Sequence, residues 1–120
     1  MELINNAGKP PAGHYSPAVS SNGLIFLSGI LPARPGAVDF ADEVGQALNS
    51  CKEVLAQAQC TLDDVVQCTA YIVGVENWPE FNRVYMEAFG RHKPARTVVP
   101  VPQLHHGCLV ELQLVAARRP

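Results

Sequence analysis

Cys108-Leu109-Val110-Glu111-Leu112-Gln113-Leu114-Val115-Ala116-Ala117 repeats with a period of two. Successive side chains of a strand point to opposite faces. Cys108, Val110, Leu112, Leu114 and Ala116 therefore make one wholly apolar face, suited to packing under helices. The other face carries Glu111 and Gln113 between Leu109 and Val115. A sheet covered by helices on one side has to leave its second side to solvent or to a subunit interface, and a mixed face is compatible with both.

The segments upstream supply what such a strand needs. Asp39 predicts an N-cap for a helix running to about residue 58, with Val44, Ala47, Leu48, Cys51, Leu55 and Ala58 as its apolar stripe. Glu43, Gln46, Asn49, Lys52 and Glu53 form its solvated face. Asn77-Trp78-Pro79-Glu80 predicts a second helix, with Asn77 as cap, proline in the first turn and glutamate three residues on. Its expected buried stripe is Trp78, Phe81, Tyr85 and Ala88, and Gly90 is expected to end it. Residues 65–73 read as a strand with Val66, Cys68, Ala70 and Ile72 on one face, after a capping box at Thr61-Leu62-Asp63-Asp64. Residues 15–20 and 24–29 read as a hairpin around Ser21-Asn22-Gly23, followed by a loop at Pro32, Pro35 and Gly36. Pro100 and Pro102 lack the N–H of a ladder donor, so residues 97–101 are expected to form an edge strand or to end early.

The 120 residues read as one domain, residues 1–120, of α+β class. An apolar fraction of 48% with 17% charged residues excludes disorder as the ground state. Nine Lys and Arg against eleven Asp and Glu, with no basic block, argue against nucleic acid as the main partner. No run of about 18 apolar residues marks a membrane span, and residues 1–13 show no basic-then-apolar targeting pattern, so a cytoplasmic location is expected. Cys51, Cys60, Cys68 and Cys108 have no metal-site spacing and no adjacent cation that would favour thiolate, so they read as small core residues. Adjacent His105 and His106 lack further ligands, and no metal is expected.

Four segments in order resemble the reactive intermediate deaminase (RidA/YjgF) family. Gly13-His14-Tyr15-Ser16-Pro17-Ala18-Val19 is similar to its opening motif, and Phe26-Leu27-Ser28-Gly29-Ile30-Leu31-Pro32 to its first buried strand and turn. Asn82-Arg83-Val84-Tyr85-Met86-Glu87-Ala88-Phe89 is similar to its second helix. Most specific is Pro94-Ala95-Arg96-Thr97 followed by Leu109-Val110-Glu111-Leu112. The resemblance implies a chorismate-mutase-like fold: six strands, mainly antiparallel, with two helices on one face. It also implies a homotrimer with sites between subunits, so that the mixed strand face becomes an interface. Ile30, Val98, Pro100, Pro102 and His105-His106 depart from the family pattern.

The implied chemistry is hydrolysis of reactive 2-imino acids to 2-oxo acids and ammonia, without cofactor. Arg96 would hold the substrate carboxylate, since a planar guanidinium offers two parallel hydrogen bonds. Glu111 would position the attacking water. Tyr15, Ser28, Gly29 and Thr97 are the further substrate-binding candidates, while Asn82 and Tyr85 read as structural. Without the resemblance, Arg96 reads as a surface ion pair and Glu111 as a solvent-facing strand residue. The rivals are a non-catalytic trimer sensing a 2-oxo or amino acid, a ribonuclease, and a pathway-specific deaminase of a larger enamine.

Overall fold

Asn22 and Gly23 take positive φ angles of 53° and 80°. Two such residues in succession match the right-handed twist of flanking strands, which makes Asn-Gly a preferred hairpin turn. They join β2 (Ala18–Ser21) to β3 (Leu24–Leu27), and a strand absent from the sequence reading, β1 (Glu2–Ile4), adds to the far side of β2. The computed structural model describes residues 1–6, 8–34 and 39–119, so Pro35 and Gly36 of the expected loop lie outside the described residues. The remaining elements are α1 (Phe40–Gln57), β4 (Val65–Val73), α2 (Trp78–Phe89), β5 (Ala95–Val101) and β6 (Val110–Ala117).

The strands form one sheet in the order β1-β2-β3-β6-β4-β5. β6 is central and antiparallel to both neighbours, and only β4 and β5 run parallel, joined through α2. β5 is an edge strand, where Pro100 costs no inter-strand hydrogen bond on its free side. Val110, Leu112, Leu114 and Ala116 are fully buried against the helices together with Cys68, Ala70 and Ile72. From α1, Val44, Ala47, Leu48, Cys51, Val54 and Leu55 meet them. Asp39 caps this helix, its Oδ1 accepting from Asp42 N–H at 2.8 Å.

Three local expectations are corrected. A β-bulge between Val65 and Gln67 turns Val65 into the core and leaves Val66 44% exposed, because an extra residue inverts the alternation upstream of it. Asn77 does not cap α2 with its side chain: it already has helical angles, and its Nδ2 donates to Val73 O at 2.9 Å. A single 3₁₀ turn over Val75–Asn77 precedes the helix. The α2 stripe is Phe81, Tyr85 and Phe89, with Trp78 and Ala88 only half-buried, and Gly90 ends the helix at φ 62°. The ψ of −124° there is outside the left-handed helical region and suits glycine alone.

The second face of the sheet is open. Register aligns Leu3, Val19, Phe26 and Val115 in one row across four strands. Leu3 is 63% and Phe26 43% exposed, an apolar band that nothing among the described residues covers.

All four cysteines are buried and free. Burial pushes the Cys68 thiol up to about 11 from an ordinary 9.0, and raises Cys51 further. The folded chain then holds these protons more tightly than the unfolded one. Their contribution to stability is complete below pH 9 and declines as pH rises toward 11. The thermal midpoint is expected to fall between pH 9 and 11, less steeply in Cys68→Ala. An aromatic disulfide reagent at pH 8 should label the native protein slowly and the denatured protein fully.

Candidate active site

Arg96 sits one residue inside the start of β5, where register pairs it with Cys68. Cys68 faces the helices, and Arg96 follows it. Its guanidinium carbon lies 5.0 Å from the centroid of the Tyr85 ring and 5.7 Å from that of Phe81. The negative faces of these rings attract the cation and restrict its orientation. Phe81, Tyr85 and Phe89 in turn stack along α2 with centroids 5.4 and 4.4 Å apart. The Tyr85 hydroxyl is enclosed beside the Cys68 thiol without a well-formed hydrogen bond, and burial raises its pKa.

Arg96 makes no ion pair with a carboxylate among the described residues, so the surface-pair alternative does not describe it. It is exposed and lines a groove of about 560 Å³ between α2 and residues 90–96. Arg83, in the same groove, is already engaged by Glu80 and Glu87. Asn82 lines the groove too, a position that its structural reading, opposite the core stripe or at an interface, does not specify. The signal was available in Met86 four residues on, an apolar side chain on an otherwise polar helix face. His92 fixes the segment returning from α2: its Nε2 lies 2.6 Å from Val65 O, and since a carbonyl only accepts, the ring donates.

Glu111 lies elsewhere. Register pairs it with Tyr71, on the open face of the sheet. Gly29 lies under its carboxylate so closely that a Cβ built there would collide with it. The backbone of this segment is held on both sides. Ser28 N–H donates to Pro17 O at 3.0 Å, while Ile30 and Leu112 exchange hydrogen bonds of 2.7 and 2.9 Å. The Ser28 hydroxyl is committed to Ser16 O at 2.6 Å, so it shapes the turn. Tyr15, 54% exposed, borders a second groove of about 380 Å³ together with Gly29 and Ile30. Thr97 pairs with Thr69 and so points to the face opposite Arg96.

The chain thus gathers Gly29 and Glu111 in direct contact, with Tyr15 bordering the same turn, and Arg96 with Asn82 separately. The second group sits on the helix side of the sheet edge. His105 and His106 stack on each other at 3.8 Å, and no group of three or more potential metal ligands occurs among the described residues. No helix among them is long and apolar enough to cross a membrane.

Comparison with known proteins agrees with this architecture. The family model described as Endoribonuclease L-PSP matches residues 6–118. Protein HMF1 of Saccharomyces cerevisiae is 38% identical over 123 residues, spanning 98% of this chain and 94% of its own. A 2-iminobutanoate/2-iminopropanoate deaminase of Bos taurus is 35% identical over 127 residues, spanning 99% and 91%. Among solved structures, yeast Mmf1 superposes with a TM-score of 0.91 at 28% identity, covering 99% of this chain and 98% of its own. The Rid-family protein YyfA from Yersinia pestis superposes at 0.89 with 29% identity, covering 98% of each chain. With its sheet, its motifs and nearly its whole length matched, the chain belongs to the reactive intermediate deaminase family, whose family model bears the description Endoribonuclease L-PSP.

Proposed function

We propose that the chain hydrolyses 2-imino acids to 2-oxo acids and ammonia at sites shared between copies of itself in a homotrimer. The observation that carries the reading is Arg96: a guanidinium oriented by two aromatic rings, unpaired with any described carboxylate, at the wall of an open groove. Such a group suits an incoming carboxylate, bound through two charge-assisted hydrogen bonds. The 35% identity to the bovine deaminase supports the same substrate class.

Arg96 and Glu111 lie on opposite faces of the sheet, two strands apart and three residues out of line, since they pair with Cys68 and Tyr71 of β4; strand spacings of about 4.8 Å and a rise of about 3.3 Å per residue put their backbones roughly 14 Å apart. A substrate of a few carbons does not bridge that separation on one chain. The site is completed when the Arg96 groove of one subunit meets the Gly29–Glu111 corner of its neighbour. The apolar row Leu3, Val19, Phe26 and Val115 supports such packing, being the surface that association would cover.

In the proposed reaction Arg96 holds the carboxylate and sets the imine carbon against a water on Glu111. Glu111 accepts a proton as the water oxygen bonds to carbon and the C=N electrons move to nitrogen. The nitrogen takes that proton back from Glu111 to give the neutral carbinolamine, which then collapses: its hydroxyl proton passes through Glu111 to the nitrogen, the O–H electrons become the C=O bond, the C–N bond breaks and ammonia departs, leaving the 2-oxo acid. Imines hydrolyse unaided, so positioning and modest acid–base assistance suffice.

Three outcomes are expected. Arg96→Ala should lower the acceleration of ammonia release from enzymatically generated 2-iminopropanoate by about 100-fold, with Arg96→Lys between it and the unmodified chain. Full activity in the alanine variant would refute the clamp. Glu111→Gln should cost about 100-fold in kcat, and Gly29→Ala a comparable loss by displacing the carboxylate. Phe26→Asp should convert a trimer to monomers by light scattering and abolish activity; a monomeric unmodified chain that is active would overturn the shared site.

A further inference from the structure

Asn82, Met86 and Phe89 occupy positions i, i+4 and i+7 of α2 and so share one stripe of its surface. All three line the Arg96 groove, as do Pro79 and Pro94. Phe89 is buried and serves the core as well, whereas Met86 is 64% exposed. An exposed apolar side chain beside an unpaired cation is out of place on a face meant only for water. Methionine is unbranched and polarisable, and it adapts to flat or irregular apolar groups.

The size of the groove points the same way. 2-Iminopropanoate has six heavy atoms and its phenyl-bearing homologue twelve, whereas pockets of about 300–1,000 Å³ take drug-sized ligands. The groove offers about 560 Å³. The smaller acid leaves most of it to water, while the larger one places a ring against Met86, Phe89 and the two prolines.

We infer that the α2 stripe centred on Met86 is a side-chain subsite, and that the chain prefers 2-imino acids with an aromatic or large apolar side chain. The inference rests on the hydrolase reading for its substrate type, and on the groove alone for its selectivity.

Calorimetry on the full chain with pyruvate and phenylpyruvate, the corresponding 2-oxo acids, tests the subsite without turnover. Phenylpyruvate is expected to bind about tenfold tighter or better, the range that added apolar groups confer in such pockets. In Met86→Gln and Met86→Glu that ratio should collapse toward unity. Met86 is exposed, so the fold should tolerate both changes, which thermal melting checks. A second arm compares ammonia release from imines generated oxidatively from alanine and phenylalanine, where kcat/KM should favour the latter. Equal affinities, or a preference untouched in both variants, overturn the subsite. Tight phenylpyruvate binding with no hydrolysis of either imine keeps the subsite and overturns the hydrolase reading. Equal hydrolysis of both imines does the reverse.

Discussion

Neighbouring side chains on a strand cannot share a face, and this restriction governs both the core and the chemistry of the chain. In β6 it sends Val110, Leu112, Leu114 and Ala116 under the helices and Glu111 and Gln113 to the open side. In β5 it sends Arg96 toward α2 and Thr97 away from it. The acid and the cation that the family motif brings within fifteen residues are therefore parted by the sheet itself. Local repacking does not reunite them, because a one-residue slip of β6 would expose four buried side chains at once. On the proposal above, chemistry that uses both groups is assembled between copies of the chain.

The surroundings of Glu111 and of Arg96 owe their rigidity to different forces. Around Glu111 the backbone does the positioning: Ile30 and Leu112 exchange hydrogen bonds, and Gly29 leaves room for the carboxylate because it lacks a Cβ. Around Arg96 the side chains do it: the stacked rings of Phe81, Tyr85 and Phe89 form a platform fixed by the core below. A guanidinium over aromatic faces keeps its donors free at their edges, whereas an ion pair would have consumed them. The structure therefore resolves a point on which composition is silent, namely whether this cation is spent or available.

Much of this was legible in the sequence, and the failures have identifiable causes. The helical stripe of α1, the Asn-Gly hairpin and the edge position of a proline-bearing strand follow from periodicity and backbone chemistry, and each is found. β1 escaped because three residues carry too little alternation to register. Val66 was assigned to the core because a bulge leaves no mark on a period-two pattern. Asn77 looked like a cap, but a 3₁₀ turn ahead of α2 satisfies the same backbone while its amide reaches Val73. Asn82 reads only as structural and Met86 only as part of the helix motif, since what lies across a groove depends on tertiary packing. Arg96 and Glu111 were identified as a pair by their motif, but their separation is a property of sheet register, which no local pattern encodes.

The same geometry bears on selectivity. A clamp that recognises only a carboxylate treats every 2-imino acid alike, so discrimination has to come from the wall on which the rest of the substrate rests. In the proposed site that wall would be α2, whose buried edge is fixed by its aromatic side chains while its outer edge is free to vary without cost to the core. Phe81 and Tyr85 flank the cation and support the fold at once, so that in the proposed site recognition of the anion would be tied to stability. Met86 and Asn82 carry no such double duty. On that proposal specificity could change at the outer edge of one helix while the clamp and the fold stay as they are, a division of labour that a site built wholly within the core would not permit.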